Sequence, residues 1–139
     1  MAPTPPSTPF ALSTESVAAS CTRQGLAYTH SPDGTQLAIG LQVLGVSAPI
    51  ICLPWGERGM YMFALALPFV VPPARAEAVA LATAILNSQT LMGAWALNTD
   101  KGEAYFRITM PSRGLEVTDE ALRFLFHVIA STAEQFAPA

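Results

Sequence analysis

The side chains that could take part in metal binding are few and widely separated in this sequence of 139 residues. His30 precedes a Pro-Asp-Gly turn, and His127 lies within a helical pattern beside its apolar positions. A zinc site needs three or four ligands at fixed spacing, and no such set accompanies either histidine. We therefore expect no metal site, and we interpret His30 as a surface turn residue and His127 as a residue on the flank of a helix.

Catalytic groups are equally hard to find. Asp100 and Glu103 bracket a tight turn, but acid–base catalysis would need a shielding pocket, which a hairpin tip rarely supplies. Turn formation explains Asp100, and solvation explains Glu103. The serines form no Gly-x-Ser-x-Gly elbow, and no glycine-rich phosphate loop opens a helix. The sequence therefore predicts a protein that is not an enzyme and has no cofactor; an enzyme with an unrecognised site is the least favoured alternative.

The two cysteines carry no motif. Cys21 falls in a helical context and Cys52 in a strand-like one, and neither has a Cys or His partner at a metal-binding spacing. Isolated cysteines of this kind behave as small buried hydrophobic residues. We expect two buried thiols in a reducing environment, which predicts a cytoplasmic location, and the composition suggests a bacterial source.

The composition favours association with other protein chains. Charged residues make up 12% of the chain, against about 25% in an average soluble domain, while hydrophobic residues make up 51%. So few charges leave apolar surface hard to cover, which favours a homo-oligomer or a complex with a partner protein. The net charge is −3 and the arginines are scattered, so no basic stripe is available to bind nucleic acid. The apolar run of residues 59–71 is interrupted by Pro68 and is shorter than the ~20 residues of a membrane-spanning helix, so we expect no membrane partner.

Methionine and aromatic residues provide the candidate contact site. Methionine adapts to varied surfaces, and Tyr and Trp are favoured at interaction hot spots. Core packing would explain alternate members of the cluster equally well. The predicted partner or dimer contacts are Trp55, Met60, Tyr61, Met62 and, from a later hairpin, Trp95.

The first half of the chain predicts a helix followed by an antiparallel meander of strands. Residues 1–9, rich in Pro, Thr and Ser, predict a disordered lead-in, and residues 10–139 a single domain. Ser13 or Thr14 can cap a helix over residues 14–24, which Gly25 ends. Strand patterns then follow at residues 26–30, 35–44, 48–53 and 60–67, with a type I turn at residues 31–34 and a glycine-containing turn at residues 54–59.

The second half predicts a helix, a hairpin and a helix. Residues 72–86 form an alanine-rich helical pattern, whose small side chains allow close approach to a sheet or to a second copy of the helix. Strand patterns at residues 91–98 and 103–110 flank an Asp-Lys-Gly turn. Thr118 can cap a final helix that reaches about residue 136, and its apolar face consists of Leu122, Leu125, Phe126, Ile129, Ala133 and Phe136.

This order of elements resembles the YbjN family, whose fold is similar to that of the small homodimeric chaperones of type III secretion. The matching segments within residues 78–136 are Ile85-Leu86-Asn87, Gly93-Ala94-Trp95-Ala96-Leu97, Ala104-Tyr105-Phe106-Arg107 and the run from Leu115 through Asp119-Glu120-Ala121-Leu122. The resemblance implies an α+β domain with helices packed on one face of an antiparallel sheet, in the order α-β(3-4)-α-β-β-α. It also implies a dimer that acts as a regulator or chaperone by binding another protein.

The sequence is therefore compatible with two functions. The first is a non-enzymatic, homodimeric domain that binds an unidentified partner protein in an apolar groove or along a sheet edge. The alternative is a small-ligand sensor with an apolar cavity between the helices and the sheet. A filled core with an exposed apolar stripe would favour the first, and a cavity of several hundred Å³ with convergent polar groups would favour the second.

Overall fold

The structure, a computed structural model, describes residues 8–40, 42–43, 46–55, 59–90 and 92–136. Three helices and ten strands are described within these ranges, together with a 3₁₀ turn at Pro73–Arg75. In chain order they are β1 (Phe10–Ala11), α1 (Thr14–Gln24), β2 (Tyr28–His30), β3 (Leu37–Ile39), β4 (Gln42–Val43), β5 (Val46–Ser47), β6 (Ile50–Trp55), β7 (Met60–Val70), α2 (Ala76–Gln89), β8 (Ala94–Asn98), β9 (Glu103–Pro111), β10 (Glu116–Val117) and α3 (Asp119–Phe136).

Six of the strands form one antiparallel sheet in the order β2-β3-β6-β7-β9-β8. The predicted α+β fold is therefore confirmed, and the first meander and the later hairpin belong to the same sheet. β7 is the central link, since it pairs with β6 on one side and with β9 on the other. Two short pairs, β1 with β10 and β4 with β5, lie outside this sheet.

Alternation along the strands divides the sheet into an inner and an outer face. The inner face carries the large side chains, and α1 and α3 cover it. Side chains in register across the strands form continuous apolar rows, for example Leu37, Cys52, Phe63 and Ile108. Complete burial of each large apolar side chain contributes about 1.5–3 kcal/mol, so these rows are the main source of stability.

The ends of α1 are set by local hydrogen bonds, as the sequence predicts. Ser13 Oγ accepts from the backbone N–H of Ser16 at 3.0 Å, and Ser16 Oγ accepts from the N–H of Ser13 at 2.9 Å. Ser13 is therefore the N-cap. Gly25 ends the helix with φ at +72°, and its N–H donates to the carbonyl of Thr22. The helix spans Thr14–Gln24, which confirms the predicted bounds.

The final helix, α3, also agrees with its predicted face. Leu122, Ile129 and Ala133 have no exposed surface, and Leu125 and Phe126 are nearly as buried. The Phe126 ring meets the Phe63 ring edge-on at a centroid distance of 5.9 Å, which locks the helix onto the sheet. Phe136 ends the helix, and its side chain lies outside the described part of the structure.

Several predicted strand bounds differ from the observed ones. The strand predicted at residues 35–44 is split, because β3 ends at Ile39 and β4 pairs with β5 in a separate hairpin. β6 begins at Ile50 and ends at Trp55, so two residues assigned to the following turn belong to the strand. The turn at residues 31–34 is confirmed, since the N–H of Gly34 donates to the carbonyl of Ser31 at 2.9 Å.

Candidate protein-binding surfaces

The predicted contact residues are distributed over both faces of the sheet. Tyr61 and Trp95 lie on the inner face and are 0% and 4% exposed. Met60 and Met62 alternate with Tyr61, so they lie on the outer face, where they are half-buried. Trp55 pairs with Met60 across β6 and β7. A contact role for Tyr61 and Trp95 stays a prediction, and it would require the core to open.

Tyr61 has a clear structural role. Its hydroxyl lies 3.2 Å from the hydroxyl of Thr14, which in turn donates to the carbonyl of Thr35 at 2.8 Å. This chain of hydrogen bonds ties the first turn of α1 to the sheet. Burial raises the pKa of the Tyr61 phenol, and the Thr14 hydrogen bond partly offsets that rise. The phenol therefore stays neutral at physiological pH.

The groups considered for chemistry do not converge on a site. His30 and His127 are both exposed, on β2 and α3 respectively. Within the described ranges, no group of three or more His, Cys, Asp or Glu side chains is arranged to hold a metal ion. The turn between β8 and β9 is organised by Asn98, whose side-chain oxygen accepts from the N–H groups of Asp100 and Lys101. Asp100 therefore belongs to a hairpin tip rather than to a pocket.

The two thiols are buried, as predicted. Cys21 on α1 and Cys52 on β6 are free thiols without a disulfide bond, and both are 0% exposed. Burial raises the pKa of each thiol, and for Cys52 the proximity of Cys21 adds to the effect. Since the thiolate is the reactive form, these cysteines are core residues of low reactivity.

The outer surface of α2 exposes two large apolar side chains. No residue of α2 is buried, and Leu81 and Ile85 are 65% and 52% exposed. With Ala78 and Ala82, which are also exposed, they recur at helical spacing and form one stripe, here called the α2 stripe. The sequence left open whether these small residues approach the sheet or a second copy, and in the structure they point away from the sheet.

The opposite side of α2 attaches the helix to the sheet through strand β8. Leu86 packs against the core. Asn87 Nδ2 donates to the carbonyl of Trp95 at 3.0 Å, while Asn87 Oδ1 accepts from the Trp95 N–H at 2.6 Å. The amide thus pairs with the outward-facing backbone of an edge strand as a neighbouring strand would. Sequence reasoning gave Asn87 no role, because its partner is a backbone group that no side-chain pattern reveals.

A polar junction joins α1 to the N-terminus of α3. Arg23 Nε and Nη2 donate to the two carboxylate oxygens of Asp119 at 3.0 and 2.9 Å. Ser20, which is 0% exposed, donates to the same carboxylate, and Gln24 donates to the Asp119 carbonyl. The Arg23 hydrogen bonds, and then that of Ser20, lower the pKa of Asp119. The junction fixes the angle between the helices, and the sequence alone predicted none of its hydrogen bonds.

Two shallow depressions lie beside β2 and β3. Their volumes are about 200 and 230 Å³, and both are lined by the outer-face residues Thr29 and Ala38. Neither lies between the helices and the sheet, where the alternative of a small-ligand sensor places its cavity. The side chains of the inner face have almost no exposed surface.

This combination defines a class: an α+β domain in which helices cover one face of an antiparallel sheet, and one helix keeps an apolar stripe exposed. The model of the YbjN family, described as "Putative bacterial sensory transduction regulator", matches residues 13–139. The chain belongs to the YbjN family, which confirms the resemblance found in the sequence. That family is named for regulation and not for an enzymatic reaction.

The fold agrees with a solved relative. It is similar to the crystal structure of YbjN from E. coli, described as a "putative transcription regulator", with a TM-score of 0.63. The similarity covers 92% of this chain and 93% of that one at 12% sequence identity, so it establishes the fold alone. No curated protein matches the chain. Among the described residues, no helix has both the length and the apolar character needed to cross a membrane.

Proposed function

We propose that this protein is a non-enzymatic, chaperone-like regulatory domain that forms a homodimer and acts by binding another polypeptide. The observation that carries the proposal is the α2 stripe. A helix without a single buried residue that exposes Leu81 and Ile85 is unusual for a monomer, because apolar surface of this kind is normally covered. The low charge of the chain supports the same conclusion.

A second copy of the chain is the occupant that fits the stripe. In a two-fold dimer the same patch serves both subunits, so it must be self-complementary. Ala78 and Ala82 lie on either side of Leu81 along the stripe and let the helices approach closely, while Leu81 of one copy can pack beside Ile85 of the other. Glu77 is the one charged residue of α2, so little charge opposes the approach of two such helices.

The partner polypeptide is proposed to bind elsewhere on the dimer. The outer face of the sheet carries half-buried apolar side chains, among them Ile51, Leu53 and Met62, and no helix described in the structure packs over them. A bacterial cytoplasmic location is part of the proposal, and it suits a protein that keeps two reduced thiols in its core.

Light scattering coupled to size exclusion tests the dimer. The wild-type protein should elute with twice the chain mass of 14.7 kDa over a range of micromolar concentrations. Leu81→Asp places a charge in the stripe and should give a monomer with an unchanged circular dichroism spectrum. Phe124→Asp is the matched control, since Phe124 is 57% exposed on α3, outside the stripe. A monomeric wild-type protein throughout this range would refute the proposed dimer.

A further inference from the structure

β2 forms one edge of the six-stranded sheet, and its backbone groups alternate in direction. The carbonyl of Ala27 accepts from the N–H of Gly40 at 3.3 Å, and the N–H of Ser31 donates to the carbonyl of Gln36 at 2.9 Å. Ala27, Thr29 and Ser31 therefore direct their backbone N–H and C=O groups toward β3. In an antiparallel ladder the alternate residues, Tyr28 and His30, direct their N–H and C=O groups away from the sheet.

The two edges of the sheet differ in how they are protected. At the β8 edge, Asn87 pairs with the outward-facing backbone of Trp95. At the β2 edge, no strand among the described residues pairs with β2 on the side away from β3, and the side chains of Thr29 and His30 are exposed. Natural proteins usually block such an edge, because it is a template for an added strand.

The depressions lie where the side chains of an added strand would reach. Thr29 and Ala38 line both depressions. The rest of the first lining includes His30, Ser31, Gln36 and Ile51, and the rest of the second consists of Ala27, Tyr28, Gly40 and Pro49. A residue paired with Thr29 from outside would project onto the same face as Thr29. Residues two positions apart in a strand lie about 7 Å apart on one face, so successive alternate side chains could occupy the two depressions.

We infer that the β2 edge is the site at which this protein takes up an extended segment of its partner, as an added antiparallel strand with uncharged apolar side chains at alternate positions. This inference rests on the proposed function and names the class of ligand. A second copy of the chain is a poor occupant, because β2 offers three residues and a stable interface needs about 800 Å² from each partner. An extended peptide needs only the backbone pairing and the two depressions.

A negative charge beside the β2 edge favours a basic residue at one end of the added strand. Asp33 lies in the turn that follows β2, and hydrogen bonds from Ser31 and Thr35 lower the pKa of its carboxyl group to about 2. The carboxylate is therefore ionised at neutral pH. In an antiparallel pair the N-terminal end of the added strand lies next to His30 and this turn, so a basic residue there suits the site.

A pair of N-methylated peptides tests the inference. The probe is the fluorescein-labelled peptide Lys-Val-Thr-Val-Thr-Val-Lys with methyl groups on the valine nitrogens. When a valine lies opposite Thr29, the lysine and threonine N–H groups remain free to pair with Tyr28 and His30. The control peptide carries its methyl groups on the threonine nitrogens and the last lysine nitrogen instead. It has the same composition but cannot form the ladder in the register that places its valines opposite Thr29.

Two pairs of matched variants distinguish the contribution of backbone pairing to peptide binding from that of the depressions. His30→Pro removes the outward N–H while leaving the pairs with β3, and edge strands tolerate proline at such a position. His30→Val keeps the N–H. Ala38→Leu fills both depressions, while Ala64→Leu enlarges a half-buried outer-face residue on β7 that lines neither of them.

The probe should bind the wild type, His30→Val and Ala64→Leu by fluorescence anisotropy, and binding should weaken by about tenfold or more in His30→Pro and Ala38→Leu. Hydrogen exchange should show protection of the His30 amide only with the probe present. Absence of probe binding up to about 1 mM, equal binding of the two peptides, or unchanged binding to His30→Pro would each overturn the inference.

Light scattering of the same samples separates this inference from the dimer. A wild-type dimer that binds no probe contradicts strand addition alone. A monomer that binds the probe supports strand addition and contradicts the proposed dimer.

Discussion

Alanine substitutions in the α2 stripe give a quantitative test of the dimer. Full burial of a Leu or Ile side chain contributes about 1.5–3 kcal/mol. Leu81 is 65% exposed, so its burial in an interface is worth about 1–2 kcal/mol for each subunit. A two-fold interface contains the residue twice, and alanine retains the first carbon of the side chain. We therefore expect Leu81→Ala to weaken the dimer by about 2 kcal/mol, which is about thirtyfold in Kd.

Ile85→Ala should have a slightly smaller effect, since Ile85 is 52% exposed. Neither change should lower the free energy of unfolding of the monomer by more than about 0.5 kcal/mol, because both side chains lie largely in solvent. Sedimentation equilibrium gives the Kd, and urea denaturation of a fully dissociated sample gives the stability. Phe124→Ala is the control for loss of an exposed apolar side chain.

The proposed interface is contradicted if Leu81→Ala and Ile85→Ala leave the Kd within about threefold of the wild-type value, because threefold corresponds to only about 0.6 kcal/mol. It is also contradicted if Phe124→Ala weakens the dimer as much as Leu81→Ala does, since the interface would then lie on α3.

Three further predictions concern stability and reactivity. Gly93→Ala should lower the free energy of unfolding by about 2–5 kcal/mol in urea denaturation, because φ is +82° and a Cβ would lie 2.6 Å from a backbone oxygen and from an aromatic carbon. Gly114→Ala, at φ +73° with nothing within 4 Å, should cost only about 1–2 kcal/mol, and equal losses would contradict the steric argument. The pKa of Asp119 is lowered in the folded state, so its contribution to stability is present above its ordinary value of about 4 and is lost as the pH falls through the lowered pKa. Asp119→Asn should therefore be less stable than the wild type at pH 7, with a difference that shrinks as the pH falls below about 4. A constant difference would show that the carboxylate charge is unimportant. Cys21 and Cys52 should react with iodoacetamide only when the protein unfolds, because both are fully buried and burial raises their thiol pKa values; mass spectrometry showing rapid alkylation under native conditions would contradict their placement.

Local structure follows closely from the sequence where the determining residues are neighbours. The Ser13 cap and the Gly25 end of α1 depend on hydrogen bonds within a few positions, as does the turn from Ser31 to Gly34. The buried face of α3 follows from helical spacing, because only one side of that helix is strongly apolar. These features could be read without any knowledge of the tertiary structure.

The candidate surfaces could not be read in this way. Along β7 both faces are apolar, with Met60 and Met62 on one side and Tyr61 and Phe63 on the other. Alternation separates the two sets but does not say which one the helices cover. In the tertiary structure α1 and α3 cover the side of the sheet that carries Tyr61, so Tyr61 lies in the core and the methionines lie on the outer face.

The sequence by itself determined the three helices, the main strands of the large sheet, their order, the family and the absence of a recognisable catalytic motif. The tertiary structure alone decided that β8 and β2 are the sheet edges, that Asn87 pairs with only one of them, and that the stripe containing Leu81 faces outward. The physical reason is the range of the interactions: caps, turns and helical faces act within about four residues, whereas edges and exposed stripes depend on which distant segments pack together and which surfaces they leave uncovered.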